Sequence, residues 1–275
     1  MNTEQLLTET WDFSPGLLLS IVSMGALYGY RINFRFTRQS VWFLAGLALL
    51  LLTLASPLHF LGEGYLFSAH MAQHMLLLLV VPPLLLAGIP AEIFGKNFKA
   101  KFKIPPALCW VLGVAIMWFW HIPTIFNATM PTNSGIPICG IDAGPFAGLL
   151  HGAQTGTLLV AGLFFCWPIL SPLPSHRLPD LKGIAYLFLA CIGCSLLGLG
   201  ITFSSHQLYS AYGSPIDPTG AMHLVRQTWG ITPAADQQIG GLLMWVPGCF
   251  IYVSAALFLL GRWFGEENYK IGLSD

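Results

Sequence analysis

The run His70-Met71-Ala72-Gln73-His74-Met75 places two imidazoles and two thioethers in paired i,i+4 positions. On a helix such a pair is offset by about 40° around the axis and about 6 Å along it, so both rings can reach one ion. Imidazole binds copper, zinc, iron and nickel, whereas thioether sulfur selects copper(I). A histidine-plus-methionine set therefore favours copper over zinc, most of all on an oxidising side where cysteine thiolates are a poor choice. A second reading stands beside this one. Methionine is a common filler of irregular gaps, and a histidine inside a membrane helix also serves as hydrogen-bonding glue between helices.

Which other residues can join depends on the elements that carry them. The 275 residues are 55% hydrophobic and 9% charged, with a mean hydropathy of +0.68. Soluble domains carry about 25% charged residues, so lipid is the expected surrounding. The net charge is zero, which leaves no case for a nucleic-acid partner. The opening MNTEQLLTETWDF is acidic, with no basic region or small-residue cleavage site. It is not expected to be removed as a signal peptide.

Seven segments have the length and apolarity expected of transmembrane helices: Pro15–Tyr30, Ser40–Ala55, Tyr65–Gly88, Pro106–His121, Phe146–Leu170, Gly183–Phe203 and Ile239–Trp263. The expected fold is thus all-α, a single polytopic bundle, with Pro82-Pro83 kinking or breaking the third helix. Arg31, Arg35, Arg38, Lys96, Lys99, Lys101, Lys103, Arg177, Lys182, Arg262 and Lys270 all fall on one side of this arrangement, and Arg226 alone on the other. The positive-inside rule then sets the N-terminus outside and the C-terminus in the cytoplasm. The outer loops are Ser56–Gly64, Ile122–Pro145 and Ser204–Gln238, the last two long and nearly uncharged.

This topology gathers seven of the eight histidines at the outer surface, with only His176 opposite. His70 and His74 lie in the outer half of helix three, His121 ends helix four, and His151 opens helix five. Convergence of these four from three helices is the argument for a metal or cofactor site. Met71 and Met75 are softer candidates on the neighbouring stripe, and Met130, Cys139, Met222 and His223 could add to the set from the loops. Thr232-Pro233 looks like a helix start. Asp236 then either favours the positive end of that helix dipole, or ligates or orients an imidazole. Cys191-Ile192-Gly193-Cys194 has redox or metal spacing, yet in mid-membrane Cys194 and Gly198 also form a small-xxx-small packing pair. The six cysteines do not make a disulfide framework.

With these residues assembled, the chain resembles the CtaG family of cytochrome c oxidase assembly factors, the multi-spanning type associated with caa(3)-type oxidases. The resemblance rests on HMAQHMLLLLVVPPLLLAGIP from His70, WFWHIP from Trp118, His151 ahead of FFCWPIL, TFSSHQLYSAY from Thr202 and DQQIGGLLMWVPG from Asp236. It departs at helix five, where FAGLLHGAQTG leaves His151 without the additional polar neighbours frequent in the family. The resemblance implies a non-enzymatic factor in a bacterial cytoplasmic membrane that helps deliver copper to the copper-containing subunit of the oxidase. The polar positions it carries over are His70, His74, His121, His151, Asp236 and Gln237. Two other readings of the histidines stay open: axial ligands of a b-type haem, and structural groups of a scaffold or transporter. Nothing resembles a hydrolase triad or a phosphate-binding loop.

Overall fold

The computed structural model describes residues 1–94, 104–130, 137–138, 141–142, 147–213 and 217–272. Each of the seven apolar segments falls on helix. In chain order the α-helices are α1 (Thr3–Glu9), α2 (Pro15–Arg31), α3 (Arg38–Ala55), α4 (Pro57–Gly62), α5 (Phe67–Met75), α6 (Val81–Gly88), α7 (Pro106–Trp120), α8 (Pro123–Ala128), α9 (Ala147–Leu170), α10 (Asp180–Thr202), α11 (Ala221–His223) and α12 (Pro233–Gly272). Among the described residues the fold is all-helical apart from one two-residue antiparallel pair, β1 (Pro137–Ile138) with β2 (Ile141–Asp142).

Five of these helical stretches are long and apolar enough to cross a membrane: Arg38–Ala55, Phe67–Gly88, Gly148–Leu170, Asp180–Thr202 and Pro233–Gly265. Pro106–Trp120 is apolar but shorter. The Phe67–Gly88 stretch is the hub, with 67% of its hydropathy window buried against 22–39% for the other four. Those four expose apolar side chains such as Phe188, Leu196, Phe250 and Leu257 outward, as expected of helices that face lipid on one side and protein on the other.

The starts and stops follow local chemistry. Thr37 and Ser40 form a reciprocal capping box at α3, and α2, α7 and α12 each open on a proline, whose missing N–H is no loss in a first turn. Thr232 caps α12 by accepting a hydrogen bond from the Ala235 amide at 3.2 Å. Of the kink or break expected at Pro82-Pro83, a break does not occur, since helix continues through both prolines. Instead the five residues Leu76–Val80 widen into a π-helical turn between α5 and α6. Proline at 82 removes an amide donor and crowds the preceding turn, and a π-turn takes up that conflict without ending the helix.

Helices α10 and α12 pack along an extensive shared face. A Cβ at Gly198 would sit 2.9 Å from the Gly241 carbonyl oxygen, so only glycine lets the backbones come this close. Cys194, one turn earlier, is buried and donates to the Met244 carbonyl at 3.3 Å. The packing reading of the C-x-x-C motif therefore accounts for Cys194. The two long loops expected on the outer side also hold more order than their composition implies: α8 lies in the first, and α11 with a π-turn at Leu224–Thr228 lies in the second.

Candidate metal centre

Three helices and one short connector build the site. Helix α5 supplies His70, Met71 and His74 along one stripe. His121 is the C-cap of α7, His151 lies in the first turns of α9, and α4 with its C-cap brings His59 and Glu63. The start of α5 has no side-chain cap of its own. Asp236, from α12, fills that place: its carboxylate accepts the Phe67 amide at 2.7 Å and the Ser68 amide at 3.0 Å. Orphan donors at a helix start must find acceptors, and a buried carboxylate is a strong one. Asp236 thus acts on the histidines by holding the helix that carries them.

The innermost donors are His74, His121 and Met71. His121 Nε2 lies 3.4 Å from His74 Nδ1 and 3.3 Å from Met71 Sδ. Its other nitrogen, Nδ1, lies 2.5 Å from the Met117 carbonyl oxygen. A ring N–H donated to that carbonyl leaves the Nε2 lone pair facing His74 and Met71. The His121 carbonyl is itself held by the Tyr209 hydroxyl at 3.1 Å, so ring and backbone are both fixed. All three donor side chains are buried.

His70 sits alongside, its ring centroid 4.3 Å from that of His74. Its Nδ1 is 3.2 Å from the Gly62 carbonyl, which also accepts the Tyr212 hydroxyl at 2.6 Å. Its Nε2 is buried and has no hydrogen-bond partner. A Cβ at residue 62 would come within 3.2 Å of the His70 backbone, so glycine is what lets α4 press this carbonyl onto the imidazole. Phe126, from α8, closes the layer with its ring centroid 4.9 Å from His70, 6.3 Å from His121 and 6.5 Å from His74.

The outer donors are His59, Glu63 and His151. Glu63 Oε1 lies 3.3 Å from His59 Nε2 and 3.3 Å from His151 Nε2. The His151 ring is 5.7 Å from that of His70, so the two groups are neighbours. Gln73 donates to the Thr53 carbonyl at 2.8 Å and to His59 Nδ1 at 3.0 Å. A small void lies among Leu54, His70, Gln73, His74, His151 and Thr155, with a volume of about 10 Å³. That is the room of about one water-sized sphere.

The remaining candidates separate from this cluster. Met75 packs one turn deeper, its methyl 3.3 Å from where a Cβ of Gly248 would stand. Met130 approaches the Tyr212 hydroxyl at 3.6 Å, Met222 packs near Tyr65 and Leu66, and His206 and His223 are exposed. Gln237 ties down the loop after α10, accepting from the Leu208 amide at 2.7 Å and donating to the His206 carbonyl at 3.0 Å. Cys139 lies outside the described residues. Arg226, the basic residue expected on the outer side, donates to the Ile231 and Tyr212 carbonyls and so braces that loop. Nearby, Asp217 accepts the Ala221 and Met222 amides, each at 2.9 Å. Partial burial alone would raise its carboxyl, but these donors outweigh it and hold the group below the usual carboxylate range.

Sequence reading missed His59 and Glu63 as site members, and Phe126, Gln73 and Gln154 as its lining or neighbours. Gln154, one turn beyond His151, is fully buried with neither amide atom hydrogen-bonded. The available signal was the i,i+4 spacing of His59 and Glu63, together with Pro123 as a helix start ahead of Phe126.

Fold and site together define a helical membrane-type protein whose buried histidines share one layer with a thioether. The chain belongs to the family described as cytochrome c oxidase caa3 assembly factor (Caa3_CtaG), which it matches over residues 29–138 and 142–266. It is also 25% identical, over 252 residues, to an uncharacterized protein of Mycobacterium leprae. That match covers 86% of this chain but 36% of the relative, so the chain spans about a third of the relative's length. No solved structure matches it.

Proposed function

We propose that this chain handles copper during cytochrome c oxidase assembly, holding the ion as cargo among Met71, His74 and His121, with His70 beside them. The family it belongs to supports the assembly role. The donor chemistry supports the metal. The observation that carries the reading is the approach of one imidazole nitrogen, His74 Nδ1, and one thioether sulfur, Met71 Sδ, to His121 Nε2 at 3.4 and 3.3 Å, with no charged group among the three. Nitrogen ligands about 2.0 Å from a common ion in a trigonal or tetrahedral set stand about 3.3–3.5 Å apart. A set mixing imidazole with thioether suits the cuprous ion over zinc. Without an ion, His74 Nδ1–H can donate to His121 Nε2, which keeps the pair in place between loads.

The topology that fits this role has seven spans, the N-terminus outside and the C-terminus in the cytoplasm, in a bacterial cytoplasmic membrane. The histidine layer then lies at the extracytoplasmic face, where the copper-containing subunit of the oxidase would receive the ion. The chain acts as a carrier and not as an enzyme. The haem alternative gains no support from the site, because the histidine rings pack on one another and on Phe126.

The test is a cuprous-ion competition titration on the purified protein in detergent. His74→Ala and His121→Ala are expected to weaken binding by more than about 100-fold, because loss of outer-shell partners alone costs 10–100-fold. Met71→Leu should weaken it less, and the oxidase from cells carrying His74→Ala should lose copper. Full-strength copper binding in both histidine variants would overturn the reading.

A further inference from the structure

We propose that His59, Glu63 and His151 form a second metal site, separate from the buried thioether set, that takes a divalent ion of borderline character such as Cu(II), Zn(II) or Co(II). Its standing as a receiving station for copper rests on the reading above; its ability to bind metal does not.

The donor atoms already stand at ligand spacing. His59 Nε2 and His151 Nε2 each lie 3.3 Å from the same Glu63 oxygen. All three ligand atoms fall within 4.8 Å of one another. Metal bonds of about 2.0–2.1 Å in a tetrahedral arrangement put ligands about 3.4 Å apart. A charge-assisted hydrogen bond would close to about 2.7–2.9 Å, so the observed gaps suit a shared ion better than an ion pair. Two imidazoles and a carboxylate, with no sulfur, make a harder donor set than Met71, His74 and His121.

The position is that of an open site. The side chains of both histidines are 15% exposed and that of Glu63 48%, so solvent or an incoming ligand can take the free positions, as in exchangeable three-ligand sites. Inward, His151 neighbours His70, whose buried Nε2 has no partner and whose ring contacts that of His74. An unpaired imidazole nitrogen between the two sets is where an ion passing inward would find its next ligand. One contact opposes loading. The Gln73 amide donates to His59 Nδ1, which puts the His59 proton on Nε2 while the site is empty. Binding an ion at Nε2 moves that proton to Nδ1, and the Gln73 amide must then release it while keeping the Thr53 carbonyl. This opposition weakens the site, which suits an ion that must move on.

The experiment is an optical Co(II) titration of the purified full-length protein in detergent, run beside the cuprous competition on the same samples. Wild type should take up one Co(II) with the absorption of a low-coordinate site. Glu63→Gln and His59→Ala should weaken Co(II) at least about 10-fold and cuprous binding far less, whereas Met71→Leu should weaken cuprous binding more than Co(II). Unchanged Co(II) affinity in both Glu63→Gln and His59→Ala overturns the proposal. So does an equal loss of Co(II) and cuprous binding in Glu63→Gln, which would mean one site. If wild type binds Co(II) in this pattern but no cuprous ion, the second site stands and the copper-carrier reading falls.

Discussion

Among the described residues, two regions carry side chains of metal-ligand type, and the fold holds them differently. Between α10 and α12, Cys194 donates to the Met244 carbonyl, and Cys191 and Ser195 both meet the Cys249 sulfur at 3.2 Å. These thiols already have partners within a close-packed helix pair. In the outer layer the opposite holds. His70 and His121 each turn one nitrogen to a backbone carbonyl; the other nitrogen of His70 has no partner, and that of His121 meets only His74 and Met71. The contrast teaches that residue type does not make a metal centre. What matters is whether the surrounding fold holds the ring and leaves a lone pair unused.

The sharpest way to break that contrast is to release the outer layer. Asp236→Ala removes the acceptor of two buried amides at the start of α5 and should destabilise the protein by about 3 kcal/mol. Thermal unfolding in detergent would show it, along with weaker cuprous binding, and an unchanged midpoint would contradict the assigned role. A milder cut is Tyr212→Phe, which deletes one donor to the Gly62 carbonyl. About 1 kcal/mol of stability should go, with a loss of cuprous affinity smaller than that of His74→Ala. On the other side of the comparison, Cys191→Ala with Cys194→Ala should leave metal stoichiometry and affinity as in wild type. A lost equivalent of copper in that double variant would mean the inner cysteines also ligate.

The smallest expected change concerns the loop that holds Asp217. The Asp217 carboxyl lies below its ordinary range in the folded protein. Its contribution is therefore present above the unfolded value, about 3.9, and is lost as pH falls through the lower folded value. Hydrogen exchange at the Ala221 and Met222 amides should quicken on that descent, and Asp217→Asn should blunt the pH response. Equal pH dependence in variant and wild type would remove Asp217 from this role.

Much of the site was legible because it is local. The i,i+4 spacing of His70 and His74 needs only a helix, and their depth follows from a hydrophobic run that begins near Tyr65. His121 and His151 were placed by the ends of their own apolar segments. Asp236 was not legible in the same way. Its position near a helix start suggested either the dipole of its own helix or a role on an imidazole, while its carboxylate caps a helix 169 residues away in the chain. Glu63 was hidden as one acidic residue in a short loop, and Met71 differs from Met75 only in which neighbouring helix each side chain meets.

The sequence by itself determined the helices, their apolar faces and the histidines at one level, because hydrophobic length and a 3.6-residue period act over one or two turns. The tertiary structure decided which lone pairs stay free, which methionine joins them, and how Asp236 and Glu63 come to serve residues far along the chain. Those outcomes depend on contacts between helices whose relative rotation no local period encodes, so they appear only when the helices have packed.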